Sequence, residues 1–163
     1  RRQRQMCIRD RAQGALNFGT GFTSPDSAST FTIPSAAAKA VTVGAYDAGT
    51  GSAASFSGRG YIVEIGGSLM VKPELAAPGV NVLVPSVSGM ARVSGTSYAT
   101  PFVTGSAALL MEWGIVRGND AFLYGEKLKA YLIKGAEPLA GAAVPDTQTG
   151  WGRLCLKNSL PQA

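Results

Sequence analysis

The pattern of apolar residues changes character at Ser97. Upstream, apolar side chains come in short runs rich in β-branched residues. Val41–Tyr46 and Val80–Val84 read as buried strands, with Tyr61–Ile65 and Val87–Val93 as further strand candidates. Downstream, Ala99, Phe102, Val103, Ala107, Leu110 and Met111 recur close to a 3.6-residue period, which predicts a helix. The small residues Gly105, Ser106, Ala107 and Ala108 predict that this helix is packed on more than one side, with Gly114 and Gly118 as stops. A second helix is expected from about Asp120 to Lys134, capped by Asn119, closed by Gly135 and buried along Tyr124, Leu128, Tyr131 and Leu132. Between these elements lie the turn-rich stretch 49–60, the proline-bracketed segment Lys72–Gly79, a loop over 136–150 and a short closing segment, Trp151–Leu160. Strand, strand, helix, helix is the order of an α/β layered fold, and 45% apolar residues in 163 supply a core for one domain or a large piece of one.

Charge is concentrated at one end. Residues 1–11 hold five Arg and one Asp, whereas the rest of the chain is close to neutral. Basic residues that grip nucleic acid belong on a folded face, and these sit in an end segment without period, so no nucleic-acid partner is expected. The segment breaks from the Gly-, Ala- and Ser-rich chain after it and resembles translated sequencing-adapter DNA. Residues 1–11 are therefore read as a non-native leader and 12–163 as the native part. Outside the leader Cys155 is the single cysteine, so no intrachain disulfide framework arises, and it reads as a packing residue. The most apolar window, Phe102–Val116, is too short to cross a bilayer, so no membrane partner is expected. The chain contains no histidine, which excludes a self-contained Ser-His-Asp or Cys-His unit and any imidazole zinc site. No metal cluster or cofactor motif appears, and Gly66-Gly67 is too short to argue a phosphate loop.

Chemistry points to Ser94-Gly95-Thr96-Ser97-Tyr98-Ala99-Thr100-Pro101. Gly95 permits a turn that a β-carbon would obstruct, and Ser97 then falls at a helix start, where unpaired N–H groups gather. A hydroxyl there can attack a carbonyl while a neighbouring N–H stabilises the oxyanion that develops. The same spacing also fits Thr96 or Ser97 simply capping a helix. Pro101 is expected in the first turn, where its missing N–H costs no helical bond.

Gly95-Thr96-Ser97-Tyr98-Ala99-Thr100-Pro101 resembles the Gly-Thr-Ser-x-Ala-x-Pro nucleophile motif of the subtilisin-like serine proteases, the subtilases. In the same order, Lys72-Pro73-Glu74-Leu75-Ala76-Ala77-Pro78-Gly79 resembles the family's Lys-Pro-Asp-(Ile/Leu)-x-Ala-Pro-Gly segment, and Ser55–Gly60 its Phe-Ser-x-Arg-Gly loop. Ile33-Pro34-Ser35 with Val41–Ala45 resembles the preceding strand, and Gly150-Trp151-Gly152 with Leu154 the closing segment. Met111–Val116, Leu123–Tyr131 and Leu154–Leu156 with Ser159–Pro161 look like the bacterial branch that includes the spore-germination subtilases. The resemblance implies a three-layer α/β fold with a mostly parallel sheet, and a serine endopeptidase acting on peptide or protein. Ser97 would be the acyl-enzyme nucleophile, with its own N–H in the oxyanion hole. The family's catalytic Asp, its His and its oxyanion Asn have no counterpart here; Asn17 lies in a Leu16-Asn17-Phe18-Gly19 setting that does not fit. The chain is thus expected to be the C-terminal half of a catalytic domain, inactive alone, with the missing N-terminal half as its partner and no cofactor. The alternative is a pseudoprotease that keeps the fold as a binding or signalling scaffold. No motif places Lys72 or Lys39 as a base for Ser97.

Overall fold

The computed structural model describes residues 28, 30, 31 and 34–161; the arginine-rich leader and Asn17 lie outside them. At its centre, strand β1 (Val43–Asp47) pairs in parallel with β5 (Leu75–Pro78), Val43 opposite Leu75 and Ala45 opposite Ala77. The short β2 (Ser52–Ala53) runs antiparallel along the end of β1. The closing segment takes the other edge of β5, where the Ala76 N–H donates to the Gly152 carbonyl and the Leu154 N–H to the Ala76 carbonyl, both at 2.8 Å. Two antiparallel hairpins complete the strands: β3 (Tyr61–Ile65) with β4 (Ser68–Lys72), and β6 (Val82–Ser86) with β7 (Gly89–Val93). Helix α1 (Thr96–Met111) runs on into a π-helical turn (Glu112–Val116), followed by α2 (Gly125–Lys134) and the single-turn α3 (Leu156–Ser159). The α/β architecture is as expected.

Small side chains let the layers approach. Ala45, Ala76 and Ala77 have no exposure, and α1 lays Ala99, Val103 and Leu110 over β1 and β5. Close approach also explains Gly79. Its N–H donates to the Tyr46 carbonyl at 3.0 Å, and a β-carbon there would stand 2.6 Å from that of Ala45.

Several elements differ from the sequence expectation. The buried strand lies not at Val80–Val84 but in the proline-bracketed segment, as β5, whose alanines lack the β-branched signature of a strand. β6 starts two residues later than expected and shows its outer face to solvent. The hairpin partner β4 was not expected; Gly66 and Gly67, with φ of 60° and 76°, make the two-residue turn that joins it to β3. Gly114 does not stop the first helix. It is buried against Leu123, whose atoms a β-carbon would meet at 2.7 Å, and the helical run continues to Val116. That run of 21 residues contains an 18-residue window of mean hydropathy 1.2, so by length and composition it is long and apolar enough to cross a membrane, contrary to the shorter window read from sequence. One face of it packs on β1 and β5, and 28% of the apolar window is buried. The second helix begins at Gly125 with Tyr124 as its N-cap. Asn119 instead donates from Nδ2 to the Trp113 carbonyl at 2.8 Å, and the Asp120 carboxylate accepts from the Phe122 N–H, holding 120–122 as a turn. Leu132 is buried as expected, but Tyr124 is 56% exposed.

Beneath β5 sits a buried charge cluster. Glu74 accepts from the Lys72 ammonium at 2.6 Å, from the Lys129 ammonium at 2.5 Å and from the Thr42 N–H at 2.6 Å. Lys72 also donates to the Ala40 carbonyl at 2.7 Å and the Thr42 hydroxyl at 3.3 Å. Burial pushes the Lys72 pKa below its ordinary value, against the opposing pull of Glu74. Removing one member leaves an uncompensated charge in the interior. Glu74→Ala is expected to lower the unfolding free energy by about 3–5 kcal/mol in chemical denaturation. Lys129→Ala should cost less, because Lys129 remains 18% exposed.

Two surface carboxylates make stability depend on acid. The bond from Lys127 holds Asp120 below the usual carboxylate range, and the bond from Arg153 does the same for Glu137. Because each folded value lies below the ordinary 3.8 or 4.5, their contribution is whole above those values and is lost as the pH falls through the lower folded ones. Thermal midpoints measured from pH 6 down to about pH 2 should fall on the acid side, and Asp120→Asn with Glu137→Gln should flatten that fall.

The face of α1 away from the sheet carries no partner among the described residues. Tyr98, Phe102, Gly105 and Leu109 form one stripe, with Phe102 43% and Leu109 55% exposed, and α1 contains no charged residue. An apolar stripe of this kind drives association. In sedimentation velocity the chain should associate, and Phe102→Glu with Leu109→Glu should shift it toward monomer with helix content kept.

Candidate active site

Helix α1 begins at the residue before the predicted nucleophile. Gly95 is its N-cap, at φ 158° and ψ 157°, and no side chain caps the helix. This removes the capping reading of Thr96 and Ser97. Ser97 is the second helical residue, is exposed, and makes no side-chain hydrogen bond among the described residues. The Tyr98 N–H turns back to the Gly95 carbonyl at 3.1 Å. The N–H groups of Thr96 and Ser97 precede the first helical bond and point outward with the positive end of the helix dipole. An exposed hydroxyl and an unpaired N–H on the same residue are the two local requirements of a nucleophile with its own oxyanion donor.

Pro101 departs from expectation. It is the sixth residue of α1, in the second turn, so the N–H it lacks is the one that would have bonded the Ser97 carbonyl. The residue is exposed.

Ser97 is placed by a backbone relay from the sheet. The Gly79 N–H bonds the Tyr46 carbonyl on β1, and the Gly95 N–H bonds the Gly79 carbonyl at 2.8 Å. The hydroxyl thereby stands over an open cleft of about 310 Å³ beside the start of β1, walled by Pro34, Ser35, Thr42, Val43, Thr96 and Thr100. None of the residues lining this cleft is titratable. Of the two lysines weighed as a base, Lys72 is fully buried and bound to Glu74, Ala40 and Thr42, and Lys39 is not among the residues lining the cleft.

A second cleft of about 340 Å³ lies between β4 and α2, lined by Leu69, Met70, Ile133 and Trp151. Of the charged groups that line it, buried Glu74 and partly exposed Lys129 are bonded to each other, and it has no nucleophile poised as Ser97 is. Among the described residues no group of three or more His, Cys, Asp or Glu is arranged to hold a metal. Cys155 is a half-buried free thiol beside Glu137, next to α3. Sequence reasoning missed the contribution of Gly79, whose role follows from a close approach between segments far apart in sequence, and that of Ser94, whose hydroxyl accepts from the Asn81 N–H at 2.9 Å.

Comparison with known proteins agrees with this geometry. The chain is 45% identical to the CspB protease of Clostridium perfringens over 78% of its own length and 27% of that chain, with a TM-score of 0.69. The prenylagaramide maturation protease PagA matches at 29% identity over 78% of this chain and 43% of that one, with a TM-score of 0.61. Among curated relatives, subtilisin-like protease 1 of Pseudogymnoascus destructans is 41% identical over 92 residues, and the PII-type proteinase of Lactococcus lactis subsp. cremoris 38% identical over 67. The chain spans 20% of the length of the first and 4% of the second. The model of the subtilase family matches residues 12–152, and the chain belongs to that family.

Proposed function

We propose that this chain supplies the nucleophile part of a serine endopeptidase, with Ser97 as the residue that forms the acyl-enzyme. The observation that carries the reading is the Ser97 hydroxyl itself: exposed at the second position of α1, not engaged in capping, and beside its own unpaired N–H. In the reaction the Ser97 Oγ adds to the scissile carbonyl carbon and passes its proton to a base. The carbonyl oxygen becomes an oxyanion held by the Ser97 N–H. The C–N bond then breaks, the amine leaves with a proton, and water hydrolyses the ester. The base is no residue of the cleft described here, and no histidine is available in the chain. By family resemblance the Asp, the His and the oxyanion Asn come from the N-terminal half of the domain, which would dock against the cleft and the open stripe of α1. The bacterial spore-germination branch is the reading supported by the segments Met111–Val116 and Leu123–Tyr131.

A second reading follows from the same residues. Where the docked half lacks its Asp or His, the fold remains as a scaffold that binds peptide without cleaving it. A fluorophosphonate probe separates the two. In a complete domain containing this chain, labelling should occur at Ser97 and vanish in Ser97→Ala, whose thermal midpoint should be unchanged. The chain alone, which has no histidine, should label slower by about 10⁶-fold, the order of the loss when a triad's His is removed. A complete domain that binds peptide but never labels would establish the scaffold instead.

A further inference from the structure

We propose that Ser94 is a positioning residue for the Ser97 nucleophile, an inference that rests on the reading of Ser97 given above. The hairpin β6–β7 leads directly into the nucleophile loop, yet it pairs with no other strand among the described residues. Its outer face is exposed, with Leu83 at 53% and Met90 at 62%. An isolated two-stranded hairpin is marginally stable, so its base needs a separate hold if the loop beyond it is to keep one geometry.

That hold is a clasp of side chains on Asn81. Asn81 has φ of 52°, a left-handed conformation that asparagine tolerates, and it turns the chain out of β5 into β6. Its N–H donates to the Ser94 Oγ at 2.9 Å, and its carbonyl accepts from the Arg92 Nη1 at 3.2 Å. Both backbone groups of Asn81 are thus held from the opposite strand and its end. One residue further, the Gly95 N–H reaches the Gly79 carbonyl. Residues 79–81 and 94–95 are therefore tied twice. Of these two ties, the Ser94 bond depends on a side chain and can be removed by one substitution. Without it the hairpin can swing about the Gly79–Gly95 bond and loosen the first turn of α1, which Thr96 and Ser97 open.

The test uses the full chain and needs no general base. In a Ser97→Cys variant with Cys7→Ser and Cys155→Ala, the remaining thiol reports its surroundings through its ionisation, read from the pH dependence of iodoacetamide alkylation. Held at the N-terminus of α1, the thiol should titrate below the free-cysteine value of about 8.5. Adding Ser94→Ala should raise that midpoint by about half a unit or more toward 8.5. Ser94→Thr, which keeps the oxygen, should restore it. Asp120→Asn, which destabilises the far end of the α1 run, should leave it in place, so that loss of stability alone does not explain the shift. Should Ser94→Ala fail to fold, Arg92→Ala removes the other hold on Asn81 and should move the midpoint in the same direction. A depressed midpoint that neither variant moves overturns the positioning role while leaving the nucleophile reading intact. An ordinary midpoint in the variant that retains Ser94 overturns the nucleophile reading, and this inference with it.

Discussion

The fold depends on one buried carboxylate. Glu74 binds the ammonium of Lys72 at the end of β4, the ammonium of Lys129 on α2 and the backbone N–H of Thr42 at the entry to β1. Three elements that share no ladder there are brought to one point. A buried ion pair is rarely the most stabilising choice for an interior, but it is specific, because each charge must find its partner or carry a large desolvation cost. Here the specificity concerns placement. Thr42, held by Glu74 and Lys72, walls the cleft beside Ser97, so the charge cluster shapes the approach to the hydroxyl.

From that anchor the path to the site is made of backbone. β1 and β5 lie side by side, Gly79 closes against Tyr46, Gly95 closes against Gly79, and α1 starts at the next residue. Small residues are what allow it: Ala45, Ala76 and Ala77 let α1 settle on the strands, and Gly79 lets its segment meet Ala45 without collision. The family's Ala-Pro-Gly and Gly-Thr-Ser segments thus meet in space for a steric reason, as two sides of one contact.

Much of this was legible from residue order. The β-branched run of β1 and the helical period after Ser97 each carry a local signal, and each was read correctly in kind. What escaped were features decided by distant partners. β5 is strand because its edges are filled by β1 and by Gly152–Leu154, although its alanines favour no strand by themselves. Gly114 looked like a helix stop and is instead a contact point for Leu123. Asn119 and Asp120 have the side chains of a helix start, but they spend their hydrogen bonds on closing the preceding helix and its turn. The cleft was half legible: its hydroxyl was named from sequence, its walls from Pro34 to Val43 were not, because a wall has no motif.

The relay from Tyr46 through Gly79 to Gly95 has a consequence for the order in which the molecule assembles. All its bonds join residues within one stretch of about fifty, so the loops that must close are short and the entropy of closing them is modest. The turn that leads into Ser97 can therefore close ahead of the contacts that tie β5 to Gly152–Leu154 and Glu74 to Lys129.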